Sequence, residues 1–197
     1  MSAHGRLPWL APQDLDADAR RLYERIVGGP RTQVPRAFPL TDEAGRLNGP
    51  FNAMLLSPEV GSALQELGAA IRYRSTLSPR AREIAILEVS VLRHSSFEWY
   101  AHVRVGEQAG LTAAEIAALR DGLPAPTLDA TESLMRELVR ELVRERDLDD
   151  ATFAAASQQL GNRALMELVA LVGYYDLLAL SLRVWRTPLP AGADAPF

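Results

Sequence analysis

The chain has 197 residues, 48% hydrophobic and 23% charged, which is the size and composition of one globular domain. Its formal net charge of −4 gives no general basic surface, so nucleic acid is not an expected partner. The complete lack of cysteine excludes disulfides, thiolate nucleophiles and cysteine-ligated metals.

Helical patterns run along most of the chain, and no strand-like alternation of polar and apolar residues is evident. The opening residues lack the apolar core of a signal peptide, and residues 31–48 form a predicted loop that contains prolines. We predict helices over residues 16–27, 51–56, 58–73, 79–92, 96–109, 130–146, 150–160 and 162–185, with a short one after Thr112. The predicted fold class is all-α, with a single domain over residues 1–197.

Local signals place several helix ends. Ser57-Pro58 and Ser78-Pro79 each combine an N-cap serine with proline at the first helical position. Thr112 with Glu115 forms a capping-box pattern, and Gly110 is a C-terminal cap. The most apolar segment, 168–182, is too short to span a bilayer easily, so we expect a buried helix in a cytoplasmic protein without a membrane partner.

Three titratable residues lie in apolar surroundings. The helix that carries Glu83 is apolar around most of its circumference, so this carboxylate is expected to be buried and to need a partner or a function. Glu98 and His102 are four residues apart and therefore share one helix face. A buried cluster of this kind can move protons near neutral pH, which makes Glu83, Glu98 and His102 the candidate catalytic residues.

Each of the three also has a simpler interpretation. Ser95 and Glu98 have the spacing of a capping box, His102 alone would be an interior histidine, and Glu83 would suit the first turn of a helix. One nitrogen and two carboxylates would also suit iron or zinc. Because the spacing is not that of a usual helical metal pair, we favour acid–base chemistry without a metal or organic cofactor.

Arginines flank the predicted cluster, at positions 72, 74, 80, 82 and 93. Most are expected to be solvated at helix ends, but one or two could bind a substrate carboxylate, with Arg82 as the candidate. Ser95 and Tyr100 are further candidate substrate contacts, although packing is the alternative for the tyrosines. Residues 136–143 predict an amphipathic helix with its charges outward, a candidate subunit contact.

The segments 77–87, 97–102 and 110–116 together resemble the carboxymuconolactone decarboxylase family, which includes the alkylhydroperoxidase D-like proteins. The resemblance covers about residues 51–119, with support from Val169, Gly173, Tyr174 and Tyr175. It implies an alkylhydroperoxidase D-like helical bundle, here with an added C-terminal helical half at about residues 130–186. It also implies a homo-oligomer, commonly a trimer or hexamer.

The peroxidase branch of that family uses a Cys-x-x-Cys pair, which falls on Ser95 and Glu98, followed by a histidine on His102. The branch's upstream glutamate falls on Glu83. Thiol peroxidase chemistry is excluded because serine and glutamate cannot cycle through a disulfide. The resemblance therefore implies a cofactor-free decarboxylase or related lyase acting on a small carboxylated, lactone-type compound. An isomerase or hydratase on the same scaffold, or a non-catalytic ligand-binding oligomer, are the alternatives.

Overall fold

The computed structural model describes residues 3–29, 38–190 and 192–197, so the predicted loop at 31–48 lies partly outside the described residues. The helices are α1 (Ala17–Gly28), α2 (Phe51–Met54), α3 (Pro58–Tyr73), α4 (Pro79–Leu92), α5 (Ser96–Gln108), α6 (Ala113–Arg120), α7 (Ala130–Glu145) and α8 (Asp150–Trp185), and a 3-10 turn covers Pro12–Asp14. The prediction of an all-α fold is confirmed.

The helix starts follow from local side-chain chemistry. The Ser78 hydroxyl accepts a hydrogen bond from the Ala81 amide at 3.1 Å, and the predicted capping box of Thr112 and Glu115 is formed at α6. A second capping box, between Asp129 and Glu132, starts α7 and was not predicted. Ser57, in contrast, makes no side-chain capping hydrogen bond.

The C-terminal helix α8 contains a sharp break. Gly161 has φ 79° and ψ 152°, so the two helices predicted on either side of residue 161 are present and nearly continuous. The second half, Asn162–Trp185, contains an 18-residue window with a mean hydropathy of 1.6 and is long and apolar enough to cross a membrane by length and composition alone. Half of its most apolar window is buried inside the protein, as in the core helix of a soluble fold.

The centre of the fold is α4, which packs against α5, α6, α7 and α8. Ile84, Ile86 and Leu87 on this helix are fully buried, as its apolar circumference predicts. The main hydrophobic cluster includes residues of α1, α2, α4, α7 and α8, so the helices after residue 130 share the core that contains α4. A smaller cluster lies between α4, α5 and α6.

Two features differ from the sequence-based prediction. Arg136 points inward rather than outward: it is 3% exposed and donates to Glu88 at 2.9 Å and to the carbonyl oxygen of Leu123 at 2.8 Å. The antiparallel strands β1 (Ala3–His4) and β2 (Leu7–Pro8) form a small hairpin that was not predicted. Two residues per strand are too few to show an alternating pattern.

Candidate active site

Glu83 on α4 and His102 on α5 face each other. The Oε2 atom of Glu83 lies 2.7 Å from Nδ1 of His102, and the two residues are 0% and 5% exposed. The predicted convergence of these two groups is therefore present in the structure. A carboxylate on one ring nitrogen orients the imidazole and selects which nitrogen carries the hydrogen.

The other oxygen of Glu83 faces a cation. Its Oε1 atom lies 3.5 Å from Nε of Arg82, an ion pair that is too long to count as a hydrogen bond. Burial by itself would raise the pKa of Glu83. The charges of His102, Arg72 and Arg82 and the His102 hydrogen bond outweigh burial and hold the pKa below its usual value. Glu83 is therefore a carboxylate at neutral pH.

Glu98 is in the opposite protonation state. It is 3% exposed, and its Oε2 atom has no hydrogen-bond partner among the described residues. Burial raises its pKa well above the usual value, helped by the charge of Asp176 and opposed by a hydrogen bond with Ser95. Ser95 makes no side-chain hydrogen bond to the start of α5, so the two residues do not form a capping box. Burial therefore favours the protonated, uncharged form of Glu98.

A small cavity of about 60 Å³ lies between α3, α5 and α8 and contains this chemistry. At about 30 Å³ for each molecule of liquid water, this volume corresponds to about two water molecules. The polar groups that line it come from Glu98, His102, Arg72 and two tyrosines. The lining residues are Phe38, Pro50, Phe51, Arg72, Phe97, Glu98, Ala101, His102, Tyr174, Tyr175, Leu178 and Leu182. Glu83 is not among them and reaches the cavity through His102.

Tyr175 and Arg72 complete the polar wall. The ring of Tyr175 lies edge-to-face with His102, with centroids 5.2 Å apart, and its hydroxyl is hydrogen-bonded to Arg72. Burial raises the pKa of Tyr175, so its hydroxyl keeps its proton. The pKa of Arg72 is also raised: burial opposes its charge, but Tyr175 and Glu83 more than compensate. From the sequence, packing was the alternative interpretation of the tyrosines, and Arg72 was expected at a solvated helix end. The one sequence feature that drew attention to Tyr175 is the family-like segment around Gly173.

The predicted substrate contacts lie elsewhere. Arg82 is beside Glu83 but is not among the described residues that line the cavity, and Ser95 is buried next to Glu98. Tyr100 lines a separate cleft on the other side of α5, together with Trp99 and Arg104. The structure therefore places Glu98 and His102 on the cavity wall and Glu83 behind His102, and Tyr100 is not among the lining residues.

The Glu83, Glu98 and His102 side chains are not arranged as the ligands of one metal ion. Within residues 3–29, 38–190 and 192–197, no three histidine, aspartate or glutamate side chains are grouped as ligands of one ion. Glu83 is already paired with His102 and Arg82, and Glu98 carries a proton.

The similarities of this chain to known proteins agree with the family resemblance of its sequence motifs. Residues 58–141 match the model of the carboxymuconolactone decarboxylase family, so the family assignment made from the sequence motifs is confirmed for this part of the chain. The described residues form an all-α fold, in a chain without cysteine. Among curated proteins, no significant sequence match is found.

Solved structures share nearly the whole fold. A peroxidase-related protein with an alkylhydroperoxidase AhpD core from Ralstonia eutropha JMP134 aligns with a TM-score of 0.75 and 11% identity, covering 97% of this chain and 95% of that one. A peroxidase-related protein from Silicibacter sp. TM1040 aligns with a TM-score of 0.72 and 16% identity, covering 96% and 94%. The C-terminal half is therefore part of an architecture that other proteins share.

A variant of the debrominase Bmp8, solved in complex with 2,3,4-tribromopyrrole, has a TM-score of 0.65 and 12% identity. The alignment covers 91% of this chain and 86% of the debrominase. At these identities the likeness extends to the fold alone.

Proposed function

We propose that this protein is a cofactor-free acid–base enzyme that decarboxylates a small carboxylated, lactone-type compound, or carries out a closely related lyase reaction. The observation that carries the proposal is the pairing of Glu83 with His102, which lines a small cavity together with the buried Glu98. The proposal includes a small-molecule substrate, a cytoplasmic location and self-association.

The proposed chemistry needs one proton donor and a defined ring orientation. When the bond to the departing carboxylate breaks, its electron pair stays on the substrate carbon and is delocalised into the neighbouring carbonyl group. His102 acts as the general acid that delivers a proton to this carbon, and water then restores the proton. Glu83 positions the ring and stabilises its charged form, in the way that an aspartate serves a catalytic histidine in hydrolases.

Glu98 supports the same step as a second proton source. Because burial favours its protonated form, Glu98 sets no negative charge against the electron-rich intermediate in that form. Ser95 holds Glu98 through a hydrogen bond, and Arg82 acts on the cavity through Glu83. Tyr100, which lines another cleft, takes no part in the proposed mechanism.

A substrate panel tests this proposal. The pure protein is incubated with carboxylated lactones and with the corresponding methyl esters, and released CO2 and ultraviolet absorbance are followed together. We expect CO2 release from the free acids and none from the esters. Absorbance change without CO2 would instead indicate an isomerase or hydratase. Saturable binding without any chemical change would indicate a ligand-binding oligomer.

A further inference from the structure

Arg72 is a cation on the cavity wall that no acidic side chain neutralises directly. It lies in the last turn of α3 and lines the cavity, yet within the described part of the chain no carboxylate lies within ion-pairing distance of its guanidinium. Other arginines near the core do have such partners: Arg93 contacts Asp176, and Arg136 contacts Glu88. The cavity therefore presents an arginine whose fork is available to a ligand.

The local charge balance points the same way. Glu83 faces both Arg72 and Arg82, and the other carboxylate whose charge acts on the cluster, Asp176, is already paired with Arg93 and Arg146. Glu98 is buried, its Oε2 atom has no partner among the described residues, and burial favours its uncharged form. One positive charge is thus left unbalanced in a mostly apolar cavity, even before a proton on His102 is counted. An unbalanced buried charge is costly, and an anionic ligand would remove this cost.

Tyr175 adds the second donor. Its hydroxyl is hydrogen-bonded to Arg72, and its ring packs against His102. An arginine fork and a tyrosine hydroxyl suit the two oxygens of a carboxylate. We propose that Arg72, together with the Tyr175 hydroxyl, binds a carboxylate of the substrate and holds the ligand against His102. This inference rests on the proposed function, because it places the anion beside the proposed general acid.

The carboxylate that Arg72 binds is one that remains in the product. A cation paired with the departing carboxylate would stabilise the charge that must be lost as CO2 forms. Arg72 is therefore a substrate-positioning residue rather than a proton donor. The class of ligand that follows is a small ring compound with a retained carboxylate.

Binding of two probes tests this proposal without turnover. Calorimetry compares 2-furoate with its neutral amide, 2-furamide, on the wild type and on Arg72→Gln, Arg72→Lys and Arg74→Gln. Arg74 is the matched control because it lies close by along the chain but is exposed and paired with Glu66. We expect wild type and Arg74→Gln to prefer furoate by about ten- to a hundredfold, the range of hydrogen bonds to charged groups.

We expect Arg72→Gln to lose this preference and Arg72→Lys, which keeps the charge without the fork, to keep part of it. Circular dichroism in the near ultraviolet checks the fold of each variant. If Arg72→Gln does not fold, a drop in furoate preference in Arg72→Lys relative to Arg74→Gln decides the question in favour of the proposal. Equal affinity of wild type for the two probes, including no binding of either, would overturn it, as would an unchanged preference in folded Arg72→Gln.

The same measurement on His102→Gln separates this inference from the proposed function. We expect furoate preference to persist there, because Arg72 and Tyr175 are intact. If the wild type prefers furoate through Arg72 but releases no CO2 from any lactone, the anion site stands and the proposed decarboxylase function fails. If the wild type turns over a lactone while Arg72→Gln keeps its preference for furoate, the proposed function stands and the anion site fails.

Discussion

His102 Nδ1 and Glu83 Oε2 lie 2.7 Å apart across the α4–α5 contact, with both residues buried. This distance is that of a charge-assisted hydrogen bond. With Glu83 ionised, it fixes a hydrogen on Nδ1, so the ring gains and loses its exchangeable proton at Nε2. The pair therefore separates the structural nitrogen of His102 from the nitrogen that is available for chemistry.

Glu83→Gln should destabilise the protein strongly at neutral pH. Removing one partner of a buried pair costs about 3–5 kcal/mol, because Arg82 and His102 lose their compensating charge. The pKa of Glu83 is lowered in the folded state, so its contribution is present above its usual value of 4.5 and is lost as the pH falls through the folded pKa. Urea unfolding of the wild type and of Glu83→Gln, at neutral pH and below pH 4.5, should therefore show that their difference in free energy of unfolding becomes smaller in acid.

Glu107→Gln is the control for Glu83→Gln, because Glu107 is an exposed glutamate on α5. It should change stability by less than about 0.5 kcal/mol at either pH. A gap for Glu83→Gln that stays constant with pH would show that Glu83 is not ionised in the folded protein.

Glu98→Gln should change the stability of the protein in the opposite direction as the pH rises. The pKa of Glu98 is raised in the folded state, so stability is highest below the usual value of 4.5 and is lost as the pH rises toward the folded pKa. Glutamine does not ionise and so removes this loss. Between pH 4.5 and the folded pKa, the free energy of unfolding of the variant should therefore rise relative to that of the wild type by up to about 1.4 kcal/mol per pH unit. Chemical unfolding across this range measures the trend.

Infrared spectroscopy gives an independent check on Glu98. The wild type at neutral pH should show the absorption of a protonated carboxylic acid that Glu98→Gln lacks and Glu107→Gln retains. Absence of that absorption in the wild type would mean that Glu98 is ionised and cannot donate a proton.

Gly49→Ala should disturb the cavity wall formed by Phe97. A Cβ atom at Gly49 would lie 2.5 Å from Cζ of Phe97, and Gly49 has a φ of 62°. Gly122 is the matched control, because it has a φ of 68° and open space around it. Alanine in this conformation costs about 1 kcal/mol at either position. The clash should add about 1–3 kcal/mol at Gly49 alone, measured by thermal unfolding, and equal losses at the two positions would contradict this packing.

The outer face of α8 predicts self-association. Met166, Val169, Leu177, Leu180 and Val184 are all exposed on this helix, with Leu180 at 63%. Their spacing places them along one stripe, which water does not favour. Light scattering at micromolar concentration should give an oligomer for the wild type and a smaller species for Leu180→Glu.

Leu123→Glu controls for the added charge, because Leu123 is 56% exposed but lies in the loop after α6. It should leave the oligomer intact. A monomeric wild type, or equal effects of the two variants, would contradict association through α8.

The sequence was informative about the cluster of Glu83, Glu98 and His102 because the signals for these residues are local. The apolar circumference of α4 predicted a buried Glu83, and the four-residue spacing of Glu98 and His102 predicted a shared face. The roles of Arg72 and Tyr175 depend on how α3 and α8 meet α5, and no local pattern records a contact between residues so far apart in the chain. Arg72 therefore looked like an ordinary basic residue at a helix end.

The inward orientation of Arg136 escaped prediction for a similar reason. On a helix of alternating charge, an arginine is expected to face water, and the periodicity of α7 favours that orientation. Its partners are Glu88 on α4 and the carbonyl oxygens of Ala118 and Leu123, which are brought near only by the tertiary fold. The buried ion pair outweighs the local pattern.

His102 is the proposed source of the proton, so turnover of His102→Gln is the decisive measurement. On the best substrate of the lactone panel, this variant should keep its fold and oligomeric state and lose about 10²–10⁴-fold in turnover, the usual scale of acid–base catalysis. His94→Asn is the control, since His94 is an exposed histidine with a φ of 49°, which asparagine tolerates, and it should turn over normally. Near wild-type turnover by His102→Gln would show that His102 is not the general acid.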